Sequence, residues 1–212
     1  MKVLILARYD RQGASSRLRT MQYRSYLAGV GLETQVESLF DSDYLMQVYQ
    51  RRRLAGTLAK SILHRMFAMR AICTQADVVW LEYEALPWFP WSIERRFWPN
   101  VPVVTDYDDA IFHRYDQNQH LLVRNILGRK IDSVMRASTV VIAGNGYLAE
   151  HTKKAGAKRV ETVPTVVDTE VYQVSRAQRD DNRIRIGWIG IPETWTRFAS
   201  DFTDSWHYDQ CQ

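Results

Sequence analysis

The fold of this chain is decided by the stretch STVVIAGNGYLAEHTKKAGAKRVETVPTVVDTEVY, residues 138–172. Residues 139–143 form a largely apolar run rich in β-branched side chains, which is typical of a strand buried on both faces. Asn145 can then cap a helix, because its side-chain oxygen accepts hydrogen bonds from the first N–H groups of the helix. Gly156 offers a helix stop, and a second short strand is expected at 159–163. The order strand, capped helix, strand indicates a parallel sheet, whose ligands bind beyond the carboxyl ends of the strands.

The N-terminal part of the chain continues the same alternation. Short apolar runs predict strands at 2–7, 33–39, 77–82 and 101–105. Helical patterns lie between them, at about 15–29, at 41–75 with a break near Gly56, and at 121–136 after a polar loop at 113–119. We therefore predict an α/β fold, with a Rossmann-like parallel sheet covered by helices on both faces and followed by a truncated tail.

Composition excludes several classes of protein. The chain has 212 residues, of which 46% are hydrophobic and 12% aromatic, as in a globular protein. Its 28 Lys and Arg against 24 Asp and Glu suit an anionic membrane surface or a phosphorylated substrate, and they demand no nucleic acid. Cys73 and Cys211 belong to no motif, which argues against a disulfide framework or a Cys-rich zinc site. Two cysteines outside any motif make a reducing cytoplasm the expected compartment, and no apolar run reaches the roughly 18 residues of a membrane span.

Three motifs carry a family resemblance. They are AGN-x-YLAE at 143–150, VPTVVD-x-x-x-Y at 163–172 and GWIG at 187–190. In this order and spacing they resemble the end of the N-terminal domain of a family 4 glycosyltransferase of the GT-B fold, followed by the first strand of its C-terminal domain. With weaker matches upstream, the resemblance covers roughly residues 1–190. It implies a retaining enzyme that transfers a sugar from a nucleotide-sugar to a glycan or lipid-linked acceptor, as in cell-envelope polysaccharide synthesis, with no cofactor and no metal.

The resemblance also implies a domain organisation. Residues 1–174 correspond to the acceptor-side domain, 175–182 to a charged linker and 183–212 to the first elements of the donor-binding domain. After Gly190 the family pattern stops, and the rest of a second domain of about 150 residues does not follow. We therefore expect this chain to be inactive alone, or to depend on a separate polypeptide that supplies the C-terminal half. The alternative is a non-catalytic remnant that binds a membrane or an acceptor.

The loop after the first predicted strand is a candidate binding site. In the family this loop closes on the donor phosphates or on the acceptor, and the matching residues are Gly13, Ala14, Ser15 and Ser16. A glycine allows close backbone approach, and helix N–H groups beside Arg17 favour an anion. One glycine does not make the G-x-G-x-x-G fingerprint, so an NAD-dependent enzyme is disfavoured. A plain turn with a serine N-cap would explain the same residues.

Carboxylates follow the fourth predicted strand at Asp106, Asp108 and Asp109. Because their mutual repulsion is costly, this position at the carboxyl end of a strand indicates a ligand site. The resemblance implies that Asp108 stands where many family members carry a His beside the donor sugar, and Asp109 where they carry an Asp. Both are candidate catalytic residues. An acidic pair can also hold a divalent metal, but no further ligand set is evident, and Asp109 would also suit a helix N-cap before Ala110.

Further substrate-binding candidates rest on the resemblance alone. It places Asn145, Pro164, Thr165 and Gly190 at the cleft between the two domains of the family. The turn after the last strand of the first domain faces this cleft. The glycine turn that contains Gly190 normally helps to hold the donor diphosphate.

Two segments are candidates for a membrane or acceptor surface. Residues 83–98 concentrate aromatic side chains around prolines, and these either bury in the core or form a partly exposed patch, which we favour. Residues 51–70 form a basic amphipathic pattern, which either lies on an anionic membrane or packs its apolar stripe on the sheet. Both segments are compatible with a peripheral position on the cytoplasmic membrane face. The basic residues match no nucleic-acid-binding motif, so we expect no nucleic-acid partner.

Overall fold

A six-stranded sheet organises the computed structural model, which describes residues 1–49 and 55–173. The strands are β1 Lys2–Tyr9, β2 Glu33–Phe40, β3 Val78–Glu82, β4 Val103–Tyr107, β5 Val140–Ala143 and β6 Val160–Thr162. Their order across the sheet is β2-β1-β3-β4-β5-β6, and every neighbouring pair is parallel. The predicted α/β fold is therefore confirmed.

Short helices connect the strands. They are α1 Ala14–Arg19, α2 Arg24–Gly29, α3 Ser42–Tyr49, α4 Ala55–Phe67, α5 Trp91–Glu94, α6 His113–Asp116, α7 Leu121–Leu127, α8 Lys130–Ala137 and α9 Gly146–Ala155. Single 3-10 or π turns occupy Met21–Tyr23, Ala68–Ile72, Cys73–Gln75 and Arg95–Phe97.

The predicted long helices are divided in the structure. The pattern at 121–136 becomes α7 and α8, which meet at Gly128. A Cβ at Gly128 would lie 2.3 Å from the Arg124 carbonyl oxygen, so only glycine allows this approach of the backbone. The pattern at 15–29 likewise becomes α1 and α2. The predicted loop at 113–119 contains the short helix α6, so that part of the prediction is wrong.

The β5–α9–β6 unit forms as the sequence predicts. The Asn145 side-chain oxygen accepts from the Leu148 N–H at 2.9 Å and caps α9. Gly156 ends the helix with φ at 87°, in the left-handed region that glycine adopts at no steric cost. Leu148 and Ala155 on one side of α9 are buried against the sheet.

Helices cover both faces of the sheet. Leu4 and Leu6 of β1 pack with Ile62 of α4 on one face. Val3 and Ile5 of β1 point to the other face. This burial on both sides explains why the strands read as continuous apolar runs in the sequence.

The aromatic segment is mostly folded inward. Trp91 and Trp98 pack edge to face with ring centroids 5.2 Å apart, and both lie against the core. Trp88 differs from them, because 49% of its surface is exposed. The predicted exposed patch is therefore reduced to a single indole in this segment.

The basic segment is only partly exposed. Arg65 of α4 is 2% exposed and donates to the carbonyl oxygens of Ala7 and Glu37. Its side chain therefore binds the backbone of the sheet and is not available to a membrane surface. Leu63 and Phe67 point to solvent, with exposed fractions of 66% and 62%. Residues 51–54 lie outside the described residues, and so do the predicted linker and donor-binding elements at 175–212. Among the described helices, none has the length and apolar character needed to cross a membrane.

Candidate functional site

A network of hydroxyl and carboxylate groups lies where β1 and β3 end. Ser15 donates to one oxygen of Glu82 at 2.7 Å, and Ser16 donates to the other at 2.6 Å. The Arg8 N–H also donates to Glu82, at 2.8 Å. Because β1 and β3 are parallel neighbours, their carboxyl ends bring the loop after β1 next to this carboxylate. The two candidate serines are thus held by one buried side chain that sequence reasoning did not single out.

Burial and hydrogen bonding act in opposite directions on the carboxyl group of Glu82. It is 1% exposed, and this burial raises the pKa of its carboxyl group. The hydrogen bonds from Ser16, Arg8 and Ser15 lower that pKa in part, while the charge of Asp108 raises it further. Glu82 therefore acts as a buried hub of hydrogen bonds.

Tyr83 connects this hub to the first candidate catalytic carboxylate. Its phenol donates to Oδ1 of Asp108, and Ser15 Oγ lies 3.0 Å from the phenol oxygen and 3.3 Å from the same Oδ1. Tyr83 has φ at 62°, an uncommon conformation for a residue with a side chain. Burial raises the pKa of the phenol well above its usual value, so Tyr83 stays a neutral donor. Asp108 is thus held by the phenol of Tyr83, and the Ser15 hydroxyl lies close to it.

Asp106 forms a buried ion pair with Arg19. The two are 2% and 3% exposed, and a guanidinium nitrogen lies 2.5 Å from Oδ1 of Asp106. Burial raises the pKa of Asp106 to about 6, although the hydrogen bonds and charge of Arg19 oppose the rise. Arg19 also donates to the Val163 carbonyl at 2.7 Å and to Thr165 Oγ1 at 3.4 Å. This arginine therefore ties α1 to the turn that carries the exposed candidates Pro164 and Thr165.

Asp109 is the open carboxylate of the site. It is exposed, and none of the described residues donates a hydrogen bond to its side chain. Partial burial and the charge of Asp108 raise its pKa, while Arg114 lowers it. The nearest helix, α6, begins at His113, so the alternative that Asp109 is a helix N-cap is wrong. Its carboxylate remains available to a ligand.

The loop after β5 approaches Asp108 closely. The Gly144 N–H donates to the Tyr107 carbonyl at 2.7 Å. A Cβ at Gly144 would lie 3.1 Å from the Asp108 Cα, which is tighter than an ordinary contact. Glycine at this position therefore lets Asn145 follow directly beside the acidic turn. Asn145 is exposed, and its Oδ1 is already used by the helix cap.

The loop after β1 is built around Gly13. Gly13 is the N-cap of α1 and makes no side-chain cap, so the alternative of a serine N-cap is wrong. A Cβ there would lie 2.3 Å from the Tyr9 Cβ, which is why the chain needs glycine. Ser16 instead accepts from the Tyr9 N–H at 3.0 Å. Arg17 donates to the Arg11 carbonyl at 3.3 Å and is partly exposed, while Ala14 is exposed.

A buried ion cluster supports the loop after β3. Lys130 Nζ lies 2.5 Å from Glu84 and 3.1 Å from Glu94, and all three side chains are fully buried. Lys130 also donates to the Leu86 carbonyl, and Glu94 accepts from the Ala85 N–H at 2.9 Å. These charges lie far apart in the sequence and read as ordinary surface residues, so sequence reasoning missed them.

The same cluster holds the exposed Trp88. Tyr115 donates to Glu84 at 2.8 Å and accepts from the Trp88 N–H at 3.1 Å. Trp88 has φ at 67°, so this hydrogen bond secures a conformation that is unfavourable for a non-glycine residue. Arg8 approaches Glu84 from the side of β1, with an N–O distance of 3.7 Å.

The structure brings together the candidates Ser15, Ser16, Asp108 and Asp109, and it ties Thr165 to the same edge. Gly190 lies outside the described residues. Within the described part of the chain there is no group of three or more His, Cys, Asp or Glu side chains placed to hold a metal ion. No protein-family model matches the chain, and no curated protein matches it with significance.

Proposed function

We propose that this chain is the acceptor-side part of a retaining glycosyltransferase that uses a nucleotide-sugar donor. The observation that supports this best is the hydroxyl–carboxylate network at the carboxyl edge of the sheet, with the open carboxylate of Asp109 beside it. Ligands of open parallel sheets bind at this edge. Carboxylates and hydroxyls also suit a sugar, which offers many hydroxyl groups as hydrogen-bond partners.

The proposed roles follow from the charges that develop during transfer. A glycosyl group gains positive charge at its anomeric carbon as the bond to the diphosphate breaks, and a placed carboxylate stabilises this charge. Asp109 has the exposure required to face the sugar. Asp108, held by the phenol of Tyr83, keeps a second negative charge beside it. In this proposal the donor diphosphate is bound by the C-terminal domain, either from residues 183–212 with a further chain or from a separate polypeptide.

Turnover by the purified chain tests this function. We expect hydrolysis of, or transfer from, a UDP- or GDP-sugar when the chain is mixed with the membrane fraction of the cell, which supplies acceptors and partner chains. Asp109→Ala should abolish this turnover. Glu150→Gln, which removes an exposed carboxylate on α9, should leave it unchanged. Turnover that survives Asp109→Ala, or no turnover from a folded chain under any of these conditions, would overturn the catalytic proposal.

The second candidate function is a non-catalytic module that binds a membrane or an acceptor. It is favoured by Leu63 and Phe67, which are exposed on the same helix as the exposed cation Lys60. Apolar side chains next to cations can insert at the surface of an anionic bilayer. Flotation of the intact chain with vesicles containing phosphatidylglycerol should then be lost in Leu63→Gln with Phe67→Gln. Equal flotation of this variant would remove the support for membrane binding.

A further inference from the structure

Tyr147 connects to two residues of α6 through a line of hydrogen bonds. The phenol oxygen of Tyr147 lies 2.7 Å from Nε2 of His113. On the other side of the imidazole ring, Nδ1 of His113 lies 3.0 Å from Oδ1 of Asp116. Tyr147 belongs to the first turn of α9, beside Asn145, and 56% of its surface is exposed. The line therefore ends at an exposed phenol on the edge that carries the candidate site.

If the imidazole carries one hydrogen, only one arrangement of hydrogens satisfies both contacts. A carboxylate can only accept, so Nδ1 of His113 carries the hydrogen that is donated to Asp116. Nε2 is then the acceptor, and Tyr147 must donate its phenol hydrogen to it. The single hydrogen of the phenol is used in this way. Towards a ligand, Tyr147 can offer only the lone pairs of its oxygen.

A buried phenylalanine supports these rings. Phe112 is 1% exposed and meets His113 edge to face, with ring centroids 4.5 Å apart. It also lies 6.2 Å from the ring of Tyr147. His151 stacks on Phe112 at 3.6 Å and is itself bound to Asp132 at 2.9 Å. The phenol and the imidazole are therefore packed on a fixed surface, which preserves their hydrogen bond.

Asp109 provides a second group of acceptors on the same turn of the chain. The Ile111 N–H donates to the Asp109 carbonyl at 2.9 Å, and the His113 N–H donates to the Ala110 carbonyl at 3.0 Å. This tight turn links Asp109 to the residue that binds Tyr147. The ionised carboxylate of Asp109 also accepts only. A ligand that contacts both groups must therefore donate hydrogen bonds to both.

We propose that Tyr147 determines specificity at this edge by accepting a hydrogen bond from a sugar hydroxyl. His113 and Asp116 are positioning residues, because they fix the phenol as an acceptor without contacting the ligand. A sugar supplies several hydroxyl donors on one ring, whereas a carboxylate or a phosphodiester supplies only further acceptors. The inference rests on the proposed function, which makes the ligand a sugar, and it adds the kind of contact that selects that ligand.

Two NMR measurements on the intact chain test this inference. Long-range proton–nitrogen spectra of the His113 ring should show hydrogen on Nδ1, and this preference should weaken in Asp116→Asn. Titration with methyl α-D-glucopyranoside and methyl α-D-mannopyranoside should shift signals at Ser15 and Asp109. Analogues in which one hydroxyl is replaced by fluorine cannot donate there. At one ring position, the fluorinated analogue should bind about five-fold more weakly than the glycoside itself, which is the effect of one lost hydrogen bond.

The variants separate a role in specificity from a role in packing. Tyr147→Phe should bind the glycoside and its fluorinated analogue equally, because the phenol oxygen that accepts the hydrogen bond is gone. His113→Leu should weaken this discrimination although Tyr147 is still present, because its phenol hydrogen is no longer held and the phenol can then donate as well as accept. His113→Gln should restore discrimination, since the amide oxygen can accept from the phenol. Tyr26→Phe, which changes an exposed tyrosine on α2, is the matched control and should behave like the unchanged chain.

Several results would overturn the inference. A hydrogen on Nε2 of His113 would overturn it. A folded Tyr147→Phe that still binds the fluorinated analogue about five-fold more weakly than the glycoside would also overturn it. If glycosides still shifted Ser15 and Asp109 in that case, the proposed function would keep its support. If no glycoside moved any signal at this edge, the inference would fail, and the transfer assay with Asp109→Ala would judge the proposed function separately.

Discussion

At the scale of single residues, the site is governed by how burial changes each charge. Asp106 and Glu82 are both carboxylates at the carboxyl edge, and burial raises the pKa of each. Asp109, one turn away, is exposed and keeps its carboxylate open. The buried carboxylates hold the backbone loops, and the exposed one accepts no hydrogen bond from a side chain or N–H group of the described residues.

Asp106 should leave a measurable trace in the pH dependence of stability. Its pKa is raised to about 6 in the folded state, above the ordinary value near 4 of an unfolded chain. The folded state therefore binds a proton more tightly, so this group stabilises the fold fully below about pH 4, and the contribution is lost as pH rises through about 6. The free energy of unfolding of the unchanged chain, minus that of Asp106→Asn, should fall by at most about 3 kcal/mol between pH 4 and pH 7.

Urea unfolding at a series of pH values measures this difference. Glu150→Gln is the control, because Glu150 is an exposed carboxylate whose pKa is lowered by Lys154 rather than raised. A difference between the unchanged chain and Asp106→Asn that stayed constant from pH 4 to pH 7 would show that the Asp106 carboxylate does not titrate in this range.

At the scale of elements, a few side chains decide how helices and loops are joined to the sheet. Asn145 begins α9 through its own side chain. Lys130 of α8 pairs with Glu84 from the loop after β3 and with Glu94 of α5, so three elements meet in one buried cluster. Glu84 and Glu94 would repel each other without that cation, and burial already raises the pKa of Glu94.

Lys130→Met should destabilise the fold strongly. The substitution keeps a similar apolar volume but leaves two buried carboxylates without their cation, and breaking a buried pair in this way costs about 3–5 kcal/mol. Thermal and urea unfolding should show this loss. Lys154→Met, at a cation with 73% of its side chain exposed, should leave stability close to that of the unchanged chain, because a surface ion pair contributes little. Equal stability of the two variants would contradict the structural role of the cluster.

The cap of α9 makes a second test at this scale. Asn145→Ala removes the acceptor of the Leu148 N–H and should cost about 1 kcal/mol in the free energy of unfolding. Asn145→Asp keeps a side-chain oxygen at the cap and should be close to neutral. If alanine and aspartate were equally stable, the cap would contribute nothing to the fold.

At the scale of the whole molecule, stability should be distributed unevenly across the sheet. β3 lies between β1 and β4, and Val79 and Leu81 are buried. β6 lies at the edge, has three residues, and exposes Glu161 and Thr162. Edge strands open with less free energy than central strands, because fewer buried contacts are broken.

Amide hydrogen exchange tests this gradient. Amides of β3 should exchange only with global unfolding, whereas those of β6 should exchange faster by at least about ten-fold, the effect of 1.4 kcal/mol less opening free energy. Exchange at the α9 amides of buried Leu148 and Thr152 is a useful reference within the same molecule. If the amides of β6 were protected as strongly as those of β3, the predicted gradient of stability across the sheet would be wrong.

The local pattern of the sequence determined the type and order of the main elements. The β5–α9–β6 unit, its Asn145 cap and its Gly156 stop depend on neighbouring residues, so periodicity and capping rules are sufficient to predict them. The acidic turn after β4 was also found, because the carboxyl end of a parallel strand is a ligand-binding position in this class of fold. The division of 121–136 into two helices was missed, since it depends on one glycine within an otherwise continuous helical pattern.

Only the tertiary structure decided which distant side chains meet. Ser15 and Ser16 bind Glu82, 67 and 66 residues away, and Lys130 binds Glu84 at a separation of 46. Nothing in the local pattern distinguishes these charged residues from surface residues. Their partners are set by sheet order and by the loops that meet at its carboxyl edge. The sequence alone therefore predicted which edge of the sheet carries the candidate carboxylates, and packing across the sheet determined which of them are buried and which one is exposed.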